Sequence, residues 1–442
     1  MKPFIYMGYG VNKLIFGITG TEEPQFLTPT YLFIMLSVQD AETIIFNAVQ
    51  PLNQQHDIEV VDLLTASHRI LATSVISSLD FPHWDNSAMD GFAVRYEDVQ
   101  NSNPENPTIL AVVEEIPAGY QPQITIKPGQ AARIFTGAII PKGADTIVIQ
   151  EKTKLQENRV FILAAPQPQE FVRHQGDFYQ AGKELLPAGI ILNAAEIAIL
   201  AAAQLSTISV FRRPRVAIFS SGDELVTPEQ TLKPGQIVDS NQYALAALVR
   251  ELGAEVLMLG IVKDNPTALT ETINYAINHA DIVLSSGGVS VGDYDYIDNI
   301  LASLGAKIHF RAVQMRPGKP LTFATFPNSL YFGLPGNPVA ALVTFWRFVE
   351  PTIKKLSGIN QGWEAKFLKV KSHSELKSNG KMETYIWGTL NLNDGIYEFE
   401  QTSGNLNSGN LINLAQTNAL AILPVGKTLV TPGEETLVLQ IR

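Results

Sequence analysis

From Arg215 to Val349, short apolar runs alternate with amphipathic helical stretches, a pattern satisfied by a parallel sheet with helices on its faces. Residues 216–219 form an apolar run closed by Ser-Ser-Gly, as expected of a buried strand. Asp239-Ser240-Asn241 supplies helix-starting residues, and Leu245, Leu248, Val249 and Leu252 recur at i, i+3, i+4 and i+7, with Gly253 placed to end the helix. Residues 256–259 read as the next strand. Asn265-Pro266 then opens a helix with Leu269, Ile273, Ala276 and Ile277 on one face. A third strand at 281–285 leads into a helix bearing Ile297, Ile300, Leu301 and Leu304, and a fourth at 330–334 leads into a helix from Asn337-Pro338 to Val349. The expected fold of this region is a doubly wound α/β domain with a parallel sheet.

The flanks carry other signatures. Residues 37–52 and 58–75 read as helices, the second on a stripe of Val60, Leu63, Leu64, Ile70 and Leu71. From 77 to 187 the chain is rich in Pro and Gly, with short apolar runs at 146–149 and 160–163 that predict a small β domain. Residues 194–203 return to helix. Beyond 358 the helical period disappears, and 365–372, 383–392, 396–399, 419–423 and 437–441 read as strands, with Asp394-Gly395 as a hairpin turn. The predicted domains are an extension at 1–36, a discontinuous, partly helical elongated domain at 37–76 and 185–212, an inserted β domain at 77–184, the α/β domain at 213–358, and a C-terminal β domain at 359–442. Residues 1–34 lack sustained periodicity and have neither the basic start nor the small-residue cleavage site of a signal peptide; they are expected to be poorly ordered.

Several function classes are excluded or disfavoured. A net charge of -11 argues against a general nucleic-acid binder, because phosphate neutralisation needs clustered Lys and Arg. Without cysteine there are no disulfides, no thiol catalysis and no Cys-ligated zinc, and the composition fits a reducing cytosol. The histidines are scattered, with no i, i+4 pair to hold a metal. No apolar run reaches the ~20 residues of a membrane span.

Open α/β sheets bind ligands outside the carboxyl ends of their strands. Four loops occupy that edge here: 220–224, 262–265, 285–295 and 334–338. They place Ser220, Glu224, Asp264, Ser286, Gly287, Gly288, Ser290, Gly292 and Asp295 together. Glycines admit a close ligand and helix-start N–H groups attract anions, so a phosphorylated ligand is expected. Taken singly, Asp223, Asp264, Asp293 and Asp295 also suit helix N-termini, where carboxylates complement the dipole. Together, Glu224, Asp264 and Asp295 form an oxygen-only set suited to Mg²⁺. In Arg316-Pro317-Gly318-Lys319-Pro320 two cations flank a turn, an anion-site pattern whose plainer reading is a solvated basic loop. Asp85 to Arg95 and Gln175-Gly176-Asp177 are dense in short polar residues and by composition alone are Asx-rich turns.

Taken in order, DNSAMDGFAVR from Asp85, RIFTGAIIPKGAD from Arg133, SSGDEL from Ser220, DSNQY from Asp239, SSGGVSVGDYDY from Ser285, RPGKPLTF from Arg316 and GLPGNPVAALVTF from Gly333 resemble the MoeA-type molybdopterin molybdenumtransferases, which include the plant and gephyrin E-domain relatives. The resemblance spans nearly all of 37–442. It implies a multidomain fold of an elongated, partly helical domain, an inserted β domain, an α/β molybdopterin-binding domain and a C-terminal β-barrel. The implied reaction takes adenylylated molybdopterin and molybdate, requires Mg²⁺, cleaves the pyrophosphate link and releases AMP. Also implied are a cytoplasmic homodimer with a cleft shared between subunits, and handover from the adenylyltransferase and to molybdoenzyme acceptors. Neither nucleic acid nor membrane is an expected partner. Asp90, Asp177 and Thr136 match the family's catalytic positions, Glu224, Asp264 and Asp295 its acidic residues on the α/β domain, and Ser408 a serine beside the cleft. Arg316, Lys319 and Pro320 match the oxyanion loop. The chain departs from the pattern at Arg316, where many relatives have Lys, at Trp387, where Arg is common, and near Arg311 or Ala312, where a basic position falls. The alternatives are the adenylyltransferase that shares the α/β domain but lacks the DNSAMDG and C-terminal segments, and a scaffold like the gephyrin E domain.

Overall fold

The strand–helix alternation closes into a six-stranded sheet in the order Glu255–Val262, Arg215–Ser221, Ile282–Gly287, Leu330–Leu334, Pro320–Thr325, Lys307–Ala312. The structure, a computed structural model, describes residues 35–287, 294–404 and 406–441. The expected extension therefore lies outside the described residues, as do Gly288, Ser290, Gly292 and Asp293 and the side chain of Asp295.

The first four strands are parallel, as the sequence predicts. The wholly parallel sheet needs correction, because Pro320–Thr325 runs antiparallel to both of its neighbours. Its apolar residues Leu321, Phe323 and Ala324 are fully buried. Such added strands are common in doubly wound folds. Here they flank the basic loop at 316–320, in stretches to which the sequence reading assigned no strand.

Helices cover both faces. Pro266–His279 and Tyr294–Ser303 bury Leu269, Ile273 and Leu301 against Ala217, Phe219 and Val283. On the other face Asn241–Glu251 and the helix from Pro338 bury Leu245, Val249 and Val343 against Val216, Ile218 and Phe332. Local chemistry sets these boundaries. Asn265 accepts the Ala268 N–H before Pro266 at the first helical position, and Gly253 follows the C-cap residue Leu252 of its helix. The helix from Pro338 runs past Val349, through a wider π-type turn at Phe345–Val349, to Leu356.

The helix Val38–Ala48 is capped by Ser37, and its Ala41, Ile45 and Phe46 enter the same core. The next expected helix, over 58–75, is wrong. Ile58–Asp62 is a strand paired antiparallel with Thr207–Phe211, followed by the short turn Leu63–Thr65. The supposed stripe is split between environments: Val60 is 68% and Leu64 94% exposed, whereas Leu71 is fully buried. β-branched Ile58, Val60 and Val61 suit the strand. The helix Ala194–Ala202 forms as read, with a capping box between Asn193 and Glu196.

Two all-β regions complete the described chain. Between these elements, Thr146–Ile149, Gly91–Val94, Gln130–Ile134, Thr108–Ile116, Arg159–Ile162 and Thr153–Gln156 form one sheet. At the C-terminal end Glu383–Asn393, Ile396–Gln401, Phe367–Ser372, Glu435–Gln440 and Ala419–Leu423 pair in turn, and the last returns to the first. That ring is a closed five-stranded barrel around Val370, Ile386, Phe399 and Val438. Asp394 and Gly395 turn its hairpin with φ of 49° and 80°. A short strand, Met315–Arg316, pairs with the start of Glu383–Asn393 and ties the basic loop to the barrel.

Candidate functional site

Arg215–Ser221 and Ile282–Gly287 are neighbours, yet their chain connections leave in opposite directions along the sheet. A crevice opens at the carboxyl ends of such a pair. There Ser220, Ser221, Ser286 and Gly287 line a cleft of about 720 Å³ together with Glu224, Asp239, Asn241 and Asp264. Only glycine suits position 287: φ is 88°, and a Cβ would lie 2.2 Å from the Ser221 carbonyl oxygen. Asn241, at the start of its helix, is buried and donates through Nδ2 to Ser286 Oγ (2.6 Å) and to the Gly336 carbonyl (2.9 Å). It thereby locks two of the edge loops together. The Ser221 hydroxyl donates to Asp264. The buried Ser220 hydroxyl has no hydrogen-bond partner among the described residues.

Glu224 and Asp264 thus share one cleft, as expected. The Glu224 carboxylate lies under Gly222, where a Cβ would come within 2.7 Å of Oε2. Among the described residues no three His, Asp or Glu side chains cluster as metal ligands.

A second cleft, of about 630 Å³, lies between the sheet edge and the barrel and shares Pro320, Pro335 and Asn337 with the first. Arg316 and Lys319 line it. Both are exposed, and neither has a carboxylate within salt-bridge distance among the described residues. Ser408 closes the other side: its Oγ accepts from Asn337 Nδ2 (3.3 Å) and its carbonyl accepts the Val339 N–H (3.1 Å). Trp387 lines the cleft at 2% exposure, and its indole N–H has no acceptor among the described residues. Arg311 does not line either cleft; it pairs with Asp298. Sequence reading missed the walls added by Asp239 and Asn241, which it took as helix starters, and by Lys377 and Tyr385 of the C-terminal region. For the latter two no sequence signal existed, because a single Lys or Tyr in a strand run carries no ligand signature.

Asp90, Thr136 and Asp177 stand apart, on the inserted domain. Asp90 Oδ1 accepts from the Thr136 N–H (2.8 Å) and hydroxyl (2.7 Å). These two donors, with Arg133 beyond them, hold the Asp90 carboxyl below the usual range. Asp177 does not form the Asx turn that composition suggested: its side chain reaches back to accept the His174 N–H at 2.7 Å, while its own N–H closes a turn onto the His174 carbonyl (3.2 Å). Pairing of Asn86–Ser87 with Val172–Arg173, and Asp85 accepting the Gln175 N–H (2.7 Å), fasten the loops that carry Asp90 and Asp177 to each other. None of Asp90, Thr136 and Asp177 lines the two clefts of its own chain.

Residues 36–203 match the family described as MoeA N-terminal region (domain I and II), 217–355 a probable molybdopterin binding domain, and 369–441 the MoeA C-terminal region (domain IV). A molybdopterin molybdenumtransferase of Nostoc sp. is 68% identical over 92% of this chain and 94% of its own length. One from Staphylococcus epidermidis is 33% identical over 86% of this chain and 91% of its length. The crystal structure of a molybdopterin biosynthesis moeA protein from Pyrococcus horikoshii superposes with a TM-score of 0.79 at 26% identity, covering 92% of this chain and all (100%) of that one.

Proposed function

The chain belongs to the MoeA family of molybdopterin molybdenumtransferases, which act in molybdenum cofactor biosynthesis, and on that premise we propose that its two contiguous clefts receive the two reactants. The switch-point cleft takes the pyrophosphate of adenylylated molybdopterin. The cleft beside it takes molybdate. The observation that carries this reading is the shared wall of Pro320, Pro335 and Asn337, which sets a pocket with two cations, neither ion-paired among the described residues, against a carboxylate-bearing crevice.

The division follows from charge. Molybdate is a dianion, and Arg316 and Lys319 offer a planar fork and a point charge, with the Ser408 hydroxyl facing them across the cleft. On the other side Glu224 and Asp264 supply oxygen ligands of the kind Mg²⁺ prefers. When bound there, Mg²⁺ offsets the negative charge of the pyrophosphate during cleavage. The chain's own groups position and polarise. Asn241 fixes the Ser286 and Gly336 edges, and the Ser220 hydroxyl, without a partner among the described residues, donates to a phosphoryl oxygen. Asp90, held as an anion by Thr136, accepts a hydrogen bond from the attacking oxygen, and Asp177 assists from the same end of the inserted domain.

Since Asp90 lines neither cleft of its own chain, the reading requires a homodimer in which the inserted domain of one subunit closes on the clefts of the other. The exposed apolar Val60, Leu64 and Ile76 of the elongated region support such a contact. We further propose a cytoplasmic protein that receives its substrate from an adenylyltransferase and yields its product to molybdoenzymes; no helix among the described residues is long and apolar enough to cross a membrane.

The test is direct. Purified protein with adenylylated molybdopterin, Mg²⁺ and molybdate should release AMP and form the cofactor, and omission of Mg²⁺ or molybdate should stop it. Absence of AMP release in the complete mixture would rule the assignment out.

A further inference from the structure

We propose that the second cleft selects tetrahedral oxyanions that carry no proton, molybdate and sulfate alike, and rejects phosphate. This rests on the reading above, in which that cleft takes molybdate, and supplies the basis of its selectivity.

The selectivity comes from what the lining omits. The chain carries 43 acidic residues and a net charge of -11, yet none of the described residues that line this cleft is Asp or Glu. The switch-point cleft beside it, of similar size, is lined by Glu224, Asp239 and Asp264. Two acidic residues of the adjoining C-terminal segments are engaged elsewhere. Glu375 pairs with Lys377 at 2.5 Å, Glu383 accepts from the Tyr385 hydroxyl at 2.5 Å, and neither lines the cleft.

What the lining offers instead is donors. Arg316, Lys319 and Lys377 are cations that donate and never accept. Asn379 Oδ1 accepts the Lys381 N–H and Asn407 Oδ1 accepts the Gly409 N–H, both at 3.0 Å. A backbone N–H only donates, so each amide orientation is set, and each NH₂ end is left without a partner among the described residues. Ser408 Oγ accepts from Asn337 Nδ2, which leaves its own hydrogen to donate. Ser378 Oγ accepts the Gly380 N–H (3.0 Å) and gives its hydrogen to the Lys427 carbonyl (2.6 Å). The side chain of Trp387 has a donor as its only polar atom.

At neutral pH molybdate and sulfate have four bare oxygens that only accept, which such a lining suits. Phosphate keeps at least one proton there, and its O–H needs an acceptor. A hydrogen bond to a carboxylate is about twice as strong as one to a neutral oxygen. Without a carboxylate to receive it, the phosphate O–H is left facing cations and amide hydrogens. A site can discriminate in this way, by leaving a competitor's polar group unpaired.

The experiment titrates molybdate into the full chain by calorimetry at neutral pH, alone, with sulfate and with phosphate. Sulfate should raise the apparent molybdate Kd, and phosphate should need at least about tenfold more to match it, the equivalent of one unsatisfied hydrogen-bonding group. Asn407→Asp keeps an acceptor for the Gly409 N–H and turns the NH₂ end into a carboxylate oxygen. In that protein phosphate should gain on sulfate by about tenfold, while the added charge weakens molybdate. No saturable molybdate binding, equal competition by phosphate and sulfate in the wild type, or an unchanged phosphate-to-sulfate ratio in Asn407→Asp would overturn the inference. The AMP-release assay on the wild-type chain separates the two readings. Release together with any of those three results removes the selectivity alone, whereas no release removes the functional assignment beneath it as well.

Discussion

Thr136 gives the Asp90 carboxylate two hydrogen bonds that a neutral carboxyl would use poorly, which lowers its pKa below the ordinary aspartate value. Its form as an acceptor therefore persists to lower pH than for a free aspartate. Thr136→Val removes the hydroxyl donor, so the Asp90 carboxyl rises toward its ordinary value. The acid limb of the pH–rate profile should then move to higher pH, as measured by AMP release across pH 3 to 8; an unmoved limb would detach Thr136 from this role. Asp90→Asn should lower turnover by about 100-fold or more, the range of a lost acid–base or positioning group, with the thermal midpoint nearly unchanged because the site is partly exposed. Gly287→Ala belongs to stability as well as function. Its positive φ and the 2.2 Å approach to the Ser221 oxygen predict a loss of about 1–3 kcal/mol in urea unfolding.

At the scale of elements, the helix Val38–Ala48 does more than cover the core. Glu42 forms a two-pronged ion pair with Arg347 (2.8 and 2.9 Å), and Arg347 Nε also donates to the Tyr385 hydroxyl at 3.1 Å. Tyr385 lines the second cleft, so the pair links the N-terminal helix, the π-type turn at Phe345–Val349 and a wall of the proposed oxyanion pocket. Arg347 is 5% exposed. Removing one partner strands a buried charge, so Glu42→Ala should cost about 3–5 kcal/mol in urea unfolding. The double replacement Glu42→Leu with Arg347→Met should cost much less, because no charge is left behind. Equal losses in the two variants would show that packing, not the ion pair, holds the junction. The strand at Ile58–Asp62 teaches the converse. Val60, Leu63 and Leu64 mimic a helical period over one turn, but pairing with Thr207–Phe211, nearly 150 residues away, decides the outcome. A local window has no access to that partner.

The proposed dimer makes a prediction at the scale of the whole molecule. If Asp90 serves the clefts of the other subunit, Asp90→Asn and Glu224→Gln proteins, each inactive alone, should complement when mixed and allowed to exchange. Every mixed dimer then has one intact site, and random pairing restores about a quarter of wild-type turnover. Mixtures as inactive as their components would place all the catalytic groups within one chain.

Much was legible because it is encoded locally. Periodic apolar residues, Asn-Pro helix starts and the Gly253 stop marked out the α/β domain, and glycine and carboxylates at strand ends marked its ligand edge. Seven ordered motifs supplied the family, and with it the reaction. Contacts distant in sequence were beyond reach. The antiparallel strand Pro320–Thr325, the closure of the barrel, the pairing of Arg311 with Asp298 and the Asn241 link between Ser286 and Gly336 each depend on what another segment offers across space. Side-chain type and spacing decide which element forms and which loop meets the strand ends. Which donors and acceptors remain unpaired after packing is set only when the whole chain has folded, because a hydrogen bond is satisfied by geometry and not by composition.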